Sequence, residues 1–192
     1  MIYFLKKEML KSFQLKANRK DGPMSATRNS PRQEPLDLDR IAWRIIEELQ
    51  QDARLSWAEL GRRVGLTTPA VAERVYRLEK LGVIRGFHAD INLERLGMPI
   101  LIFVRISIGG SESLVRTFQL QVKNWHEVLE CHRVTGSDSF IVKARVVSME
   151  HLERFLDRMG HYGTTSTATV LSSPVLKRTM TEKVIEQFYA GE

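Results

Sequence analysis

The sequence predicts an α+β fold in two parts, an N-terminal helix-turn-helix of the winged type and a C-terminal βαββαβ sheet domain. Two short helical patterns with clear start and stop signals occupy residues 55–82. From residue 100 onward, apolar residues alternate with period two, as in strands. We expect a tail over 1–35, the first part over 36–90, a linker over 91–99, the second part over 100–176 and an extension over 177–192.

The first predicted helix spans residues 38–51, and Asp37 or Asp39 is its expected N-cap. An apolar face at helical spacing is formed by Ile41, Ile45, Ile46 and Leu49. A three-helix DNA-binding unit needs such a face on its first helix.

The second predicted helix starts at Ser56, which has the S-x-x-E spacing with Glu59. In that motif the hydroxyl accepts one free backbone N–H, while the carboxylate reaches back to another. Leu60 and Val64 supply the buried stripe, and Gly65 is suited to end the helix.

The third predicted helix begins at about Pro69, with Thr68 as its cap, and Gly82 closes it. Its buried stripe is Val71, Val75 and Leu78. Four residues must therefore face elsewhere: Ala70, Glu73, Arg74 and Arg77. Residues 83–92 are expected to form a strand after this helix.

This layout indicates a helix that enters a groove of double-stranded DNA. Arg74 and Arg77 are candidates for base-edge or phosphate contacts, and Thr67, Thr68 and the helix N-terminus are candidates for a phosphate anchor. The rest of the predicted interface is Ser56, Pro69, Ala70 and Glu73. The alternative is a helical bundle that binds nothing, with a solvated basic face made of Arg62, Arg63, Arg74, Arg77 and Lys80.

The second part reads as strand, helix, strand, strand, helix, strand, with strands at about residues 100–108, 128–134, 140–147 and 165–171. The helices carry Leu114, Phe118 and Val122, and then, after a cap at Ser148, Leu152, Phe155 and Leu156. This order gives one antiparallel sheet with both helices on one face. The other face is expected to be apolar and to pack against a second copy, forming a homodimer.

The formal net charge of +6 lies almost entirely in the tail, which carries +5, whereas residues 36–90 carry 0 and residues 91–192 carry +1. The tail is a disordered basic arm by composition. It either follows the phosphate backbone of DNA, or Met24 is the true start and residues 1–23 arise from an over-called reading frame.

The composition bounds the function further. One cysteine, Cys131, and scattered histidines predict no disulfide framework and no metal site. Because there is also no apolar run of membrane-spanning length, we expect a cytoplasmic protein that does not enter membranes.

Residues 36–176 resemble the leucine- and asparagine-responsive (Lrp/AsnC, feast/famine) regulators. The resemblance rests on spaced segments at residues 38–41, 60–66, 73–75, 78–79, 82–84 and 130–136. It implies a dimeric or octameric transcription regulator with an N-terminal DNA-binding domain and a C-terminal amino-acid-sensing domain of the RAM or ACT-like type. It implies no catalytic residue and no cofactor.

In that family the loop after the glycine that matches Gly136 lies at a subunit interface, where backbone amides and a carboxylate hold a small effector. The resemblance therefore implies an effector loop made of Thr135, Gly136, Ser137, Asp138 and Ser139. The family pattern places the acid three residues after the glycine, whereas here Asp138 stands one place early and Ser139 takes its position. Asp138 either binds an ammonium group or serves as a turn residue that bonds its own backbone.

Three other functions remain open from the sequence. Proteins of this architecture include tetrapyrrole decarboxylases, so an enzyme is one alternative. An effector-independent or architectural DNA-binding protein is another, and a sensor module that does not contact DNA is the third.

Overall fold

The computed structural model describes residues 36–189. The expectations for the tail, including Met24 as the start, lie outside these residues.

Three helices form the first part: α1 (Arg40–Gln51), α2 (Trp57–Val64) and α3 (Thr68–Lys80). Asp39, not Asp37, caps α1, and its Oδ1 accepts the Ala42 N–H at 2.8 Å. Ser56 Oγ accepts the Glu59 N–H at 3.1 Å, and Gly65 ends α2 in the left-handed conformation. The predicted caps of both helices are confirmed.

Two local predictions at the helix starts were wrong. The Glu59 carboxylate does not reach back to Ser56, because it binds Arg62 and Arg63 instead. The N-cap of α3 is Thr67, since its backbone is extended while Thr68 is already helical. Pro69 is thus the second residue of α3, where its missing N–H still costs no hydrogen bond.

The strand expected over residues 83–92 is not formed. No strand in the described part of the chain pairs with this segment, and an extended backbone needs hydrogen bonds to a neighbour. The following linker is fastened to the sheet by Arg145, which donates to the Met98 carbonyl at 2.8 Å and lies 3.4 Å from the Glu94 carboxylate.

The second part is a four-stranded sheet with two helices, in the predicted order. Its elements are β1 (Ile100–Ser107), α4 (Glu112–Gln121), a single 3₁₀ turn (Val122–Asn124), β2 (Val128–Arg133), β3 (Phe140–Val146), α5 (Met149–Gly160) and β4 (Thr164–Thr169). The strand order is β2-β3-β1-β4, and every neighbouring pair is antiparallel. The predicted α+β fold and split βαβ topology are confirmed.

Both helices pack on one face of this sheet, as predicted. Phe118 of α4 and Phe155 of α5 are fully buried, and Phe118 lies 4.9 Å, ring centre to ring centre, from Phe140 of β3. The cluster comprises Ile102, Val104, Ile106, Phe118, Val122, Phe140, Val142, Ala144, Val146, Leu152, Phe155 and Met159. Cys131 packs at its edge, and burial raises the pKa of the thiol to about 11, consistent with the role of a small apolar residue.

The open face of the sheet is more polar than expected. Phe103 lies at the centre of this face and is 38% exposed. Its cross-strand neighbours are Lys143 and Ala168. Lys143 binds Glu130 at 2.8 Å, so charged and apolar groups alternate on this face. Such alternation follows from cross-strand register, which cannot be read from one strand alone.

A C-terminal helix, α6 (Glu182–Tyr189), was not predicted. The segment before it returns to α1, where the Gln50 side-chain amide donates to the Met180 carbonyl at 2.8 Å and accepts the Met180 N–H at 2.9 Å. Glu47 accepts the Glu182 N–H at 3.3 Å, at the start of α6. The chain therefore contacts the helix-turn-helix unit again after leaving the sheet.

Candidate DNA interface and effector loop

The turn between α2 and α3 is tight because one glycine allows a close backbone approach. A Cβ atom on Gly61 would lie 2.6 Å from the carbonyl oxygen of Leu66. The Leu66 N–H also donates to the Gly61 carbonyl at 2.8 Å. Because a side chain at residue 61 would push the turn away from α2, Gly61 helps to set the direction in which α3 leaves.

One face of α3 points away from the other two helices. Val71, Val75 and Leu78 are buried, as predicted, and Ala70 is half-buried beside them. On the opposite side the exposed residues, which we call the outward face, are Pro69, Glu73, Tyr76, Arg77 and Lys80. Three predicted site residues thus share a surface with two that were not predicted to bind DNA.

The start of α3 offers free hydrogen-bonding groups. Thr67 and Thr68 are exposed, and the Thr67 hydroxyl makes no capping hydrogen bond within the described chain. A helix N-terminus carries unpaired N–H groups and a partial positive charge, which favour an anion such as phosphate. In contrast, the Ser56 hydroxyl already accepts the Glu59 N–H.

Tyr76 is a member of the outward face that the sequence analysis missed. Its side chain is 55% exposed, and the Lys80 ammonium lies 4.8 Å from the centre of its ring. The i, i+4 spacing of these two residues, which turns them to one side of a helix, could have revealed the pair.

Arg74 does not lie on the outward face. It sits beside the buried stripe, and its guanidinium nitrogen is 2.6 Å from Oδ2 of Asp39, the N-cap of α1. The Arg74 side chain is 37% exposed in this pair. The hydrogen bond from Arg74, with a second from the Ala42 N–H, lowers the pKa of Asp39 below its usual range.

The arginines of α2 are also engaged within the protein. Arg62 and Arg63 donate to the Glu59 carboxylate at 2.7 and 2.8 Å, and these hydrogen bonds lower the pKa of Glu59 to about 2. Arg63 reaches Glu48 of α1 at 2.8 Å, and Arg44 of α1 donates to the Arg63 carbonyl. Ion pairs therefore join α1 to both of the other helices.

The candidate effector loop is anchored to the end of β1. The Ser139 N–H donates to the Ile106 carbonyl at 2.8 Å, and Ser139 Oγ accepts the Ile108 N–H at 3.0 Å. The Ser137 carbonyl accepts the Ser107 hydroxyl at 2.9 Å. The hydroxyl that stands at the family's acid position is thus used to hold the loop.

The Asp138 carboxylate faces a cation of the same chain. Its Oδ2 lies 3.9 Å from the guanidinium of Arg105, which also donates to Ser166 Oγ at 3.2 Å. Gly136 has a φ of +114°, a conformation that side chains rarely adopt, and Thr135 and Gly136 are exposed. All five predicted loop residues lie together, but their carboxylate already has a charged neighbour.

Within residues 36–189 there is no cluster of histidine, cysteine and acidic residues that could hold a metal ion. The same part of the chain has no helix long and apolar enough to cross a membrane.

Comparison with protein families gives two matches along the chain. Residues 38–79 match the AsnC-type helix-turn-helix domain, and residues 101–180 match the Lrp/AsnC ligand binding domain. These ranges coincide with the helix-turn-helix unit and with the sheet domain up to Met180.

Curated and solved relatives agree with these matches. The leucine-responsive regulatory protein of Escherichia coli is 36% identical over 152 residues, covering 79% of this chain and 87% of that protein. The solved LrpC of Bacillus subtilis is 31% identical, with a TM-score of 0.69, and the match covers 74% of this chain and 100% of that one. A Neisseria meningitidis transcriptional regulator, solved in complex with L-Met, is 26% identical with a TM-score of 0.72, covering 77% and 99%.

Proposed function

Since this chain belongs to the Lrp/AsnC family of transcriptional regulators, we propose that α3 reads DNA with its outward face, that the sheet pairs with a second copy, and that a small amino acid acts at residues 135–139. Membership makes the chain a sequence-specific DNA-binding regulator with a ligand-binding domain. Because the relatives are named as regulators, the enzyme alternative has no support.

The outward face of α3 is the observation that carries the DNA-binding proposal. Arg77 reaches a base edge or a phosphate from this face, with Glu73 and Ala70 beside it. Thr67, Thr68 and the N-terminus of α3 anchor a phosphate, while Ser56 and Pro69 shape the approach of the two helices. A cytoplasmic location is part of the same proposal, because the relatives are DNA-binding regulators.

A second copy of the chain covers the open face of the sheet. Phe103 loses its exposure in the dimer, and the charged neighbours need no new partners because Lys143 already binds Glu130 and Arg145 already binds the linker. A two-fold dimer presents two copies of α3 to half-sites about 34 Å apart or a multiple of that distance. Assembly into an octamer extends the same pattern over more sites.

Phe103→Lys tests the dimer, because it places a second ammonium group beside Lys143, and that charge is buried if the face is covered. We expect the variant to sediment as a smaller species than the wild type. An unchanged sedimentation coefficient would assign the interface to another surface.

A small amino acid is the proposed effector. It presents one carboxylate and one ammonium group, which suit the exposed loop amides and Asp138 respectively. Its ammonium must compete with Arg105 for the Asp138 carboxylate.

The Arg105 contact favours one second candidate, an effector-independent DNA-binding regulator. In that case the pair between Asp138 and Arg105 replaces the effector's ammonium and holds the loop in one state.

Footprinting on the DNA upstream of the protein's own gene separates these functions. It is done at two salt concentrations, with and without a mixture of the twenty amino acids. Phased protection that changes with the mixture supports the effector-gated regulator, whereas phased protection that ignores it supports the effector-independent one. Absence of protection at both salt concentrations would count against the DNA contacts proposed for α3.

A further inference from the structure

A single carboxylate connects the start of α1 to the middle of α3. Asp39 Oδ1 accepts the Ala42 N–H at 2.8 Å, and Oδ2 accepts the Arg74 guanidinium at 2.6 Å. The two side chains are separated by 35 positions in the sequence. One oxygen thus serves the cap of α1, and the other serves α3.

This ion pair is suited to orientation more than to stability. The Asp39 and Arg74 side chains are 54% and 37% exposed, and exposed ion pairs contribute little to folding. However, the cap already immobilises the Asp39 carboxylate, so less conformational entropy is lost when Arg74 pairs with it. A fixed acceptor at the flank of α3 restrains rotation of that helix about its own axis.

The pair also removes one cation from the DNA-binding surface. Arg74 lies beside Val71 and Val75, whereas Glu73 and Arg77 point outward. In this pair the Asp39 carboxylate balances the charge of the Arg74 guanidinium and directs it toward α1.

We propose that Asp39 is a positioning residue for DNA recognition: it sets the angle of the outward face and keeps Arg74 from contacting phosphates without regard to sequence. Base readout tolerates displacements of only a fraction of an ångström, so a rotated α3 loses specific contacts first. A released Arg74 gains a phosphate contact on any sequence. The pair therefore increases the difference between specific and non-specific affinity.

Asp39→Asn is the decisive variant, because asparagine caps a helix as well as aspartate does but has no charge to hold Arg74. Two duplexes serve as probes: a consensus selected by the wild type from a random-sequence library, and a shuffled duplex of the same composition. We expect affinity for the consensus to fall about tenfold, the cost of roughly one mismatched base pair. Affinity for the shuffled duplex should hold or rise, and its salt dependence should steepen by about one released ion.

Glu48→Gln is the matched control. It removes a carboxylate that binds Arg63 of the neighbouring helix, with the same change in net charge. We expect this variant to keep the wild-type ratio of the two affinities. Arg74→Gln should lower consensus affinity without steepening the salt dependence, and the double variant with Asp39→Asn should behave like Arg74→Gln alone.

Each other outcome decides against the proposal. If Asp39→Asn keeps the wild-type ratio, Asp39 is only a cap. If the variant melts at a much lower temperature and its affinity falls equally for both duplexes, the role of Asp39 is structural. The inference depends on DNA recognition by α3, and failure of that premise is distinguishable, because the wild type itself would then enrich no consensus.

Discussion

The helix-turn-helix unit and the sheet domain differ in what holds their elements in place. Eight buried apolar residues lie among α1, α2 and α3, and the ion pair between Asp39 and Arg74 fastens α3 to the start of α1. Twelve buried residues lie between the sheet and its helices, with Phe118 and Phe155 fully buried. Because the core of the helix-turn-helix unit is smaller, the orientation of its helices depends more on polar contacts, and these are sensitive to charge and salt.

Phe118→Ala should have the largest effect. The ring is fully buried and contacts Phe140, Trp125 and Tyr162, so its removal should destabilise the sheet domain by about 3–5 kcal/mol. Urea unfolding followed by Trp125 fluorescence measures it. A loss below about 1 kcal/mol would show that the core repacks around the missing ring, and would contradict the role of Phe118 in holding the sheet domain together.

Leu60→Ala should cost less, about 3 kcal/mol, and should affect the other region. Leu60 is fully buried between the helices, so the unit should unfold locally and lose DNA binding while the sheet domain stays folded. In variants that keep a single tryptophan, fluorescence of Trp43 or Trp57 reports the first region and that of Trp125 the second. Coincident transitions at all three tryptophans would mean that the two regions are one cooperative unit.

Arg77→Ala should change function and leave folding unaltered. Arg77 is exposed on the outward face, and its loss should weaken DNA binding by about 1–3 kcal/mol. Binding to single-base variants of the consensus distinguishes the contacts: relaxed preference at one position indicates a base edge, and uniform weakening indicates a phosphate. Arg154→Ala, which removes an exposed arginine from α5, is the control and should leave binding unchanged.

Glu127→Gln should give the smallest effect, about 1–2 kcal/mol, and a pH-dependent one. Burial raises the pKa of Glu127, but hydrogen bonds from His151 and Arg158 outweigh it and leave the pKa below the usual value of 4.5. Its stabilisation is therefore full above about pH 4.5 and is lost as the pH falls through the folded-state pKa.

The melting temperatures of the wild type and Glu127→Gln, measured between pH 3 and 7, should converge as the pH falls. Glu150→Gln, at an exposed pair with Arg154, is the control and should show little difference at any pH. If the difference in melting temperature stays constant over this pH range, the effect of Glu127→Gln is due to packing.

Local signals allowed most elements to be predicted from the sequence. Asp39, Ser56 and Ser148 mark helix starts because a cap needs only its next few residues. The alternation in β1 predicted a strand with one buried side for the same reason.

The features that sequence reasoning missed depend on distant partners. The pairing of Arg74 with Asp39 could not be read from the sequence, because folding brings the two residues together. A strand over residues 83–92 was expected from composition, yet pairing decides whether a strand forms. The α6 helix begins where Glu47 of α1 accepts its first N–H.

The return of the chain to α1 at Gln50 gives that helix contacts with other segments near both of its ends. The linker and the segment ending at Met180 give the helix-turn-helix unit two connections to the sheet domain. Between Gln50 and Asp39 runs a helix about 16 Å long, and Arg74 is held at its start. The same helix therefore contacts the C-terminal segment near one end and the Asp39–Arg74 pair at the other.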